Sequence, residues 1–358
     1  MLFRRILFAP FTLLIGLALA LRHAFYDAGL LKRTRPSVPT IAIGNLALGG
    51  TGKTPMLELI LRTLDQQSPL ATLSRGYGRR GTDLHEVQPT DDAVRSGDEP
   101  VQVKRNFPAV RVFVGADRVA AIAAIQHAIP DLKAVVLDDA LQHRALDAGL
   151  NILLTTWQRP FCDDALVPAG RLRDLRSRAK AAHLVVVTKC PSLPTPAQQE
   201  HWRSRLGLRA HQHLFFAGIA YQAPTVVKSA AGAGAPGAST ELKTTNALLV
   251  TGIADPGPLV EHLQGLFAGV EHSSFSDHHA FSTSDVQSLA ARMAKFAAGP
   301  KMLITTEKDA VRLLPLLNGG VWDAVHVAVI GMRTVILNEP EHFADLIRRH
   351  VATHPAHR

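Results

Sequence analysis

Cysteine is scarce in this chain of 358 residues, which contains only Cys162 and Cys190. The two are far apart and form no Cys-x-x-Cys pair, so the sequence indicates neither a disulfide framework nor a thiolate zinc site. Charged residues are also few, at 19% against 47% hydrophobic residues, which excludes a disordered or fibrous protein. Single domains usually span roughly 100 to 200 residues, and the length therefore favours two domains.

Acidic residues are nearly missing from residues 1–36, where Asp27 alone accompanies several Arg and Lys residues. The run from Ile6 to Leu21 carries no charge, although it is about four residues short of the ~20 that comfortably span a bilayer. It could be a signal peptide cleaved near Ala18-Leu19-Ala20, a buried helix of a soluble core, or a membrane-seated helix. We favour the third, because the flanking basic residues would meet anionic headgroups at the inner surface of a membrane.

From Val38 onward, short apolar runs alternate with longer amphipathic stretches, a pattern typical of βαβ units and a parallel sheet. The composition changes at Ser229–Thr240, a small and flexible stretch that indicates a linker or an exposed loop. The predicted strands are TIAIGN, LATLSR, VRVFVG, AVVLDD, NILLTT and LVVVTK before this stretch, and NALLVTG, MLITTE and VHVAVIG after it.

The sharpest motif is ALGGTGKT, residues 47–54, directly after the apolar strand TIAIGN. A phosphate-binding loop needs glycines whose backbone N–H groups wrap an anion, a Lys that reaches the phosphates, and a hydroxyl for Mg²⁺. Ala47 departs from the usual first glycine, whereas Pro55 suits the first turn of a following helix. The predicted ATP-binding residues are Gly49, Gly50, Thr51, Gly52, Lys53 and Thr54.

The strand AVVLDD ends in a pair of carboxylates, Asp138 and Asp139. Ligands of open α/β sheets bind at the carboxyl edge of the strands, and a carboxylate there can hold Mg²⁺ directly or through water. Adjacent strand residues point to opposite faces, so at most one of the two is expected to face the metal squarely. The residues alone leave open which one does.

These features predict an α/β fold with a P-loop NTPase-like parallel-sheet domain, an N-terminal membrane-associated helix, and a second, smaller α/β domain. The expected organisation is an apolar helix with its basic flank at 1–36, the P-loop domain at 37–220, a linker at 221–245 and the smaller domain at 246–358.

Several less specific clusters have both structural and chemical interpretations. The loops SRGYGR and GDEP are typical of turns, and the arginines of PAGRLRD could clamp phosphates or face solvent. Asp277-His278-His279 could be a metal site, a surface histidine cluster or an imidazole oriented by a carboxylate. In TTEKD, Thr306 and Asp309 fit a helix capping box as well as a functional motif.

Taken together and in order, the motifs resemble those of the tetraacyldisaccharide 4'-kinase family, the lipid A 4'-kinases of Gram-negative bacteria. Each is weak alone, but their joint order and spacing from Gly44 to Leu313 are highly specific. With the N-terminal apolar helix, the resemblance covers nearly the whole chain. The matching segments are GNLALGGTGKTP, SRGYGRR, GDEP, LDDALQHR, PAGRLRD, TGIADP, FSDHH and TTEKDAVRL.

The resemblance implies ATP-dependent phosphorylation of the 4'-hydroxyl of a tetraacyldisaccharide 1-phosphate, which gives lipid IVA at the cytoplasmic face of the inner membrane. It implies that Asp98 of GDEP is the general base and that His278 assists it from the second domain. The implied Mg²⁺ ligands are Thr54, Asp138 and Asp139. The implied substrate or phosphate-binding residues are Arg75, Gln142, Arg171, Arg173 and Asp174. Family members commonly have Gly where Ala140 stands and Glu where Asp174 stands, and the shorter Asp reduces the reach of that carboxylate.

Three other functions are less favoured. A membrane-bound P-loop ATPase switch of the partitioning type usually carries a Lys where this chain has Leu48. A GTPase would need an Asp in place of Pro191 and a Gly in place of Leu141. A nucleic-acid-binding protein, suggested by the net charge of +9, would need a reading module that the sequence lacks, so no nucleic-acid partner is expected.

Overall fold

The computed structural model describes residues 7–230, 239–277, 279–296 and 299–354. His278, one of the predicted site residues, lies outside the described residues, and so does most of the predicted linker Ser229–Thr240. The described chain forms one sheet of nine strands and one of five, each flanked by helices. This confirms the predicted α/β fold with parallel sheets.

Strands and helices are numbered along the chain. The strands are β1 Thr40–Asn45, β2 Leu70–Ser74, β3 His85–Glu86, β4 Arg111–Val114, β5 Ala134–Leu137, β6 Leu150–Thr156, β7 Leu184–Thr188, β8 His213–Tyr221, β9 Thr225–Lys228, β10 Asn246–Thr251, β11 Gly269–Ser274, β12 Lys301–Thr306, β13 His326–Ile330 and β14 Met332–Ile336. The helices are α1 Ala9–Asp27, α2 Lys53–Thr63, α3 Ala93–Ser96, α4 Asp98–Asn106, α5 Arg118–Ala128, α6 Pro196–Arg205, α7 Ser239–Leu242, α8 Gly257–Gln264, α9 Thr283–Lys295, α10 Glu307–Leu313 and α11 Pro340–Ala352.

The first lobe is built on the nine-stranded sheet, whose spatial order is β14-β8-β7-β6-β1-β5-β2-β4-β3. The central strand β1 is buried along its whole length and pairs in parallel with β5 and β6. Its sequence is continuously apolar up to Asn45 because helices cover both faces of the sheet. The chain segments that follow β1 and β5 leave the sheet at the same carboxyl edge, where α/β proteins bind their ligands.

The second lobe is built on the five-stranded sheet in the order β11-β10-β12-β13-β9. Four of its strands are parallel, and β9 pairs antiparallel with β13. Leu289 and Met293 of α9 pack on one face, while Leu259 and Leu263 of α8 pack on the other. The lobe therefore has a core of its own on each side of the sheet.

The chain crosses between the lobes twice. It enters the second lobe at β9, inside the expected linker 221–245, and returns after β13, where β14 pairs antiparallel with β8 of the first lobe. Phe343, Ile347 and Val351 of α11 then join the first lobe's core against α2. Residues 332–352 are thus part of the first lobe, whereas the expected division assigned all of 246–358 to the second. Strand β14 is not among the predicted strands, and sequence periodicity carries no information about which sheet a segment joins.

Helix α1 leaves most of its apolar surface exposed. Of the described helices, it is the one long and apolar enough to cross a membrane, and only 6% of its most hydrophobic window is buried. A helix of a soluble core would be largely buried, so this exposure disagrees with that interpretation. The exposed large side chains of α1 and its preceding residues are Leu7, Phe11, Leu13, Leu14, Leu17, Leu21 and Phe25.

Candidate active site

The loop between β1 and α2 holds the predicted ATP-binding residues. Gly52 caps α2 at a φ of 83°, a left-handed conformation that glycine adopts without strain. Asn45 fixes the loop, because its side-chain Nδ2 donates to Thr51 Oγ1 at 2.8 Å. The first N–H groups of α2 have no intrahelical acceptor, so they favour an anion. The loop is therefore suited to binding phosphate groups.

Residues 168–174, called the arginine segment below, run antiparallel to the phosphate loop. The backbone N–H of Leu48 donates to the carbonyl of Arg171 at 2.8 Å, and the N–H of Arg173 donates to the carbonyl of Leu46 at 2.8 Å. This backbone pairing sets both predicted arginines beside the loop without any help from their side chains.

Asp139 is held between two cations. Arg173 donates to Asp139 Oδ2 at 2.8 Å and to Asn45 Oδ1 at 2.5 Å, while Lys53 Nζ lies 3.9 Å from Asp139 Oδ1. Burial alone would raise the pKa of Asp139, but the hydrogen bonds from Arg173 and the charge of Lys53 hold it below its ordinary value. The ionised carboxylate thus keeps Lys53 and Arg173 at the phosphate loop.

Asp138 is buried, and its Oδ1 has no hydrogen-bond partner within the described part of the chain. Burial, followed by the charge of Glu99, raises the pKa of Asp138 to about 7. The side chain shares a small cavity with Thr54. Mg²⁺ is usually held by one or two carboxylates together with substrate phosphates, so an orphaned carboxylate oxygen beside a hydroxyl fits this ion. Asp138, rather than the engaged Asp139, is the carboxylate that suits it.

A cavity of about 660 Å³ lies between the lobes, next to the phosphate loop. A Cβ added at Gly50 would lie 3.4 Å from Ala254 Cβ, so the second lobe packs directly over the loop. Lys189 at the end of β7 and Asp255 form an ion pair across the cleft at 4.0 Å. Ligand pockets usually have volumes of about 300 to 1,000 Å³, and this one is therefore large enough for a nucleotide.

Asp98 is the first residue of α4 and is 5% exposed. Its Oδ2 lies 3.8 Å from Arg312 Nη1, a residue of the second lobe that the motifs did not single out. The structure gives no position for the expected partner His278. Its neighbour Asp277 pairs with Lys308 at 3.0 Å. Asp277 thus lies at the same lobe boundary as Asp98, because Lys308 also lies 3.8 Å from Glu99.

The other predicted residues differ in their surroundings. Gln142 Nε2 donates to the backbone carbonyl of Asn45 at 2.7 Å, so it lies next to the phosphate loop. Arg171 Nε pairs with Asp164 at 3.0 Å. Arg75 is exposed, on the loop after β2.

Asp174 faces helix α1 rather than the cleft. It is 1% exposed, and its Oδ1 lies 2.6 Å from Nε2 of His23, the one buried residue of α1. Arg144, also buried, donates to Asp27 at 2.6 Å at the end of the same helix. The contact with Asp174 attaches the exposed apolar helix to the arginine segment, and the contact with Arg144 attaches it to the loop between β5 and β6. The shorter Asp side chain therefore still reaches a partner, but that partner is an imidazole of α1.

Replacing His23 by Ala should lower the stability of the protein. The change leaves the buried Asp174 carboxylate without its imidazole partner, which typically costs about 1–3 kcal/mol. Thermal unfolding in detergent micelles should therefore show a melting temperature a few degrees below that of wild type. His127→Ala, at an exposed position on α5, is the matched control. Equal melting temperatures for the two variants would contradict the expected contribution of the pair.

Two residues of the site escaped the motif reasoning for different reasons. Asn45 ends the predicted strand TIAIGN, and a buried amide at the edge of a phosphate loop is a signal that could have been used. Arg312 lies inside the matched segment TTEKDAVRL, but its proximity to Asp98 depends on how the two lobes pack. No pattern in one chain reports that packing.

A family model for the tetraacyldisaccharide-1-P 4'-kinase matches residues 4–352 of the chain. Similar curated proteins are named tetraacyldisaccharide 4'-kinase. The one from Flavobacterium johnsoniae is 40% identical over 312 residues, and the matched region covers 87% of this chain and 88% of that relative. The one from Parabacteroides distasonis is 37% identical over 354 residues, covering 97% and 95%.

Among solved structures, the chain resembles the "apo" form of LpxK from Aquifex aeolicus in complex with ATP. The TM-score is 0.71 at 24% identity, with 98% of this chain and 100% of that chain covered. At this identity the likeness shows a shared fold. The family match over nearly the whole length and the identity to several curated relatives are decisive, and the chain belongs to the tetraacyldisaccharide-1-P 4'-kinase family.

Proposed function

We propose that this protein transfers the γ-phosphate of ATP to the 4'-hydroxyl of a tetraacyldisaccharide 1-phosphate and so forms lipid IVA in lipid A biosynthesis. Family membership supports this activity. The proposal extends to the acceptor lipid, to Mg²⁺ as cofactor, to the roles of individual residues, and to the cytoplasmic face of the inner membrane as the place of reaction.

The observation that carries the proposal is the double attachment of the arginine segment. Its backbone pairs with the phosphate loop, and Asp174 at its end pairs with His23 of the exposed apolar helix. A phosphate-transfer site is thus joined directly to a surface suited to lipid. A kinase of a water-soluble sugar would need no such connection.

In the proposed mechanism, the N–H groups of the phosphate loop and Lys53 bind the ATP phosphates. Arg173, held by Asp139 beside the loop, supplies further positive charge where negative charge develops. Thr54 and Asp138 would hold Mg²⁺, which when bound neutralises phosphate charge. Phosphoryl transfer depends mainly on positioning and charge stabilisation, and these residues provide both.

Asp98 is the proposed general base, and His278 the proposed assistant. The acceptor hydroxyl is a poor nucleophile until a base accepts its proton. As the new O–P bond forms at the γ-phosphorus, the bond to the β-phosphate oxygen breaks, and ADP leaves with that electron pair. The proton passes to the Asp98 carboxylate. The low exposure of Asp98 keeps competing water away from the transfer.

We further propose that α1 seats the protein in an anionic membrane surface. The exposed leucines and phenylalanines of α1 would enter the apolar layer, and the basic residues after it would meet acidic headgroups. The protein should therefore sediment with phosphatidylglycerol vesicles and not bind duplex DNA. Binding to duplex DNA without any binding to the vesicles would refute the membrane assignment.

Lipid phosphorylation tests the function directly. The protein is incubated in detergent micelles with γ-³²P-labelled ATP, Mg²⁺ and tetraacyldisaccharide 1-phosphate, and the lipid product is separated by thin-layer chromatography. Label in the lipid at the 4'-position is expected. ATP hydrolysis without labelled lipid would instead favour the membrane-bound ATPase switch.

A further inference from the structure

Helix α10 of the second lobe packs against helix α4 of the first, and polar side chains join the two. Gln102 of α4 donates to Glu307 of α10 at 3.4 Å. Lys308 lies 3.8 Å from Glu99, the next residue after Asp98. Glu307 and Lys308 are the first two residues of α10, so these contacts join the beginning of α10 to the first two turns of α4.

Arg312 makes the contact that concerns the reaction. Its Nη1 lies 3.8 Å from Asp98 Oδ2, and the side chains of both are nearly buried, at 10% and 6% exposure. A guanidinium with so little access to water interacts much more strongly with a carboxylate than an exposed one does. Arg312 thus brings a cation from the opposite lobe to Asp98.

Arg312 is itself fixed by a buried carboxylate. Its Nη2 donates to Asp309 Oδ1 at 2.5 Å, and Asp309 is fully buried. The other oxygen of Asp309 accepts from the backbone N–H of Gly252 and from Thr306 Oγ1, both at 2.8 Å. Asp309 therefore anchors the guanidinium to β10 and β12 through their ends, so Arg312 has little freedom to turn away.

The capping interpretation of TTEKD holds for Thr306, while the Asp309 carboxylate bonds to Gly252, the Thr306 hydroxyl and Arg312. Thr306 caps α10, since its Oγ1 accepts from the N–H of Asp309 at 3.1 Å. However, the cap does not require a carboxylate that also binds an arginine, nor an arginine one turn further along. Asp309 and Arg312 extend the cap into a chain of polar contacts that ends at Asp98.

We propose that Arg312 is a positioning residue for the phosphoryl transfer: it fixes the Asp98 carboxylate from across the lobe boundary. This inference rests on the proposed function, in which Asp98 accepts the proton of the acceptor hydroxyl. Because the guanidinium belongs to the second lobe, the base reaches its working position only when the lobes are packed together. Arg312 touches neither substrate in this role and acts only through Asp98.

A double-mutant cycle tests this role. Arg312→Met should lower kcat for lipid phosphorylation by about 10²-fold, the cost of a misplaced reacting group, while KM for ATP and lipid stays within about twofold. Arg312→Lys should recover part of the loss, because it keeps the charge but not the two-pronged geometry. In an Asp98→Asn background, Arg312→Met should cause no further loss, since residues that act as a unit are not additive.

Two controls separate positioning from folding. Arg292 lies on α9 of the same lobe, away from α4, and pairs with Glu271 of β11 at 2.5 Å. Arg292→Met should therefore leave kcat unchanged. Arg312→Met leaves Asp309 as a buried unpaired charge, so Asp309→Asn is combined with it to restore the melting temperature. The loss of kcat should persist in this combined variant.

The outcomes are distinguishable. Independent, additive losses in the cycle, or recovery of kcat together with the melting temperature, would overturn the role of Arg312 while leaving the lipid kinase intact. A raised KM for ATP at unchanged kcat would overturn it in favour of nucleotide binding. An absence of lipid product from the wild type would instead refute the proposed function itself.

Discussion

Lys53→Met should abolish most lipid phosphorylation while leaving the protein folded. The ammonium group lies at the start of α2, beside the phosphate loop and 3.9 Å from Asp139. Removing one preorganised donor to the charge of a transition state typically costs about 10²- to 10³-fold in kcat. Loss of the charge also weakens ATP binding, so kcat/KM for ATP should fall further than kcat.

The matched control for this experiment is Lys228→Met. Lys228 also pairs with an aspartate, Asp323 at 3.0 Å, but it lies on β9 of the second lobe and does not line the cleft. The lipid kinase activity of Lys228→Met should equal that of the wild type. Labelled lipid formed by Lys53→Met at a rate near that of Lys228→Met would show that the phosphate loop does not serve this reaction.

Asp138→Asn should lose activity and gain stability. In the folded protein the pKa of Asp138 is raised to about 7, whereas an unfolded Asp ionises near pH 4. The contribution of Asp138 to the unfolding free energy of the metal-free protein therefore falls as pH rises from about 4 to about 7 and is level above that. The amide of Asn does not ionise, so the variant has no buried charge to destabilise it above pH 7. The variant should thus melt at a higher temperature than the wild type at pH 8, by an amount that shrinks towards pH 4.

The size of this gain is limited. Each pKa unit corresponds to about 1.4 kcal/mol, so the full shift would amount to about 4 kcal/mol. Part of it is offset because the buried amide still has a polar atom without a partner. Asp139→Asn is the informative comparison, since Asp139 has a lowered pKa and pairs with two cations, so its replacement should destabilise the protein at pH 8.

Calorimetry in EDTA, and again with ATP and Mg²⁺, measures both effects. With ATP present, Mg²⁺ should raise the melting temperature of the wild type and have little effect on Asp138→Asn. A lower melting temperature for metal-free Asp138→Asn at pH 8 would contradict the raised pKa. An equal response of both proteins to Mg²⁺ would exclude Asp138 as a ligand.

Sequence patterns predicted the six parallel strands β1, β2, β4, β5, β6 and β7 of the first lobe, because buried parallel strands are apolar along their whole length, but they did not predict β3, β8 or β14. The strand TIAIGN and the glycines after it placed the phosphate loop at the correct edge of the sheet. The pairing of adjacent strands could not be predicted in the same way. Strand β14 was not predicted, and only the structure shows that residues 332–352 complete the first lobe.

The candidate site was predictable where one segment carries the chemistry and unpredictable where two segments meet. The residues of the phosphate loop follow from local spacing. The pairing of Asp174 with His23 joins residues that are far apart in the chain, as does that of Asp98 with Arg312. Which of Asp138 and Asp139 suits a cation also depends on the position of Arg173, which no periodicity reveals.

The return of residues 332–352 to the first lobe also bears on how the protein is made. Helix α1, the proposed membrane helix, leaves the ribosome before β14 and α11 have been translated. Until β14 and α11 have been synthesised, the nine-stranded sheet lacks an edge strand, and α2 lacks the apolar cover of Phe343 and Ile347. We therefore expect the nascent protein to be attached to the bilayer before it can hold a nucleotide.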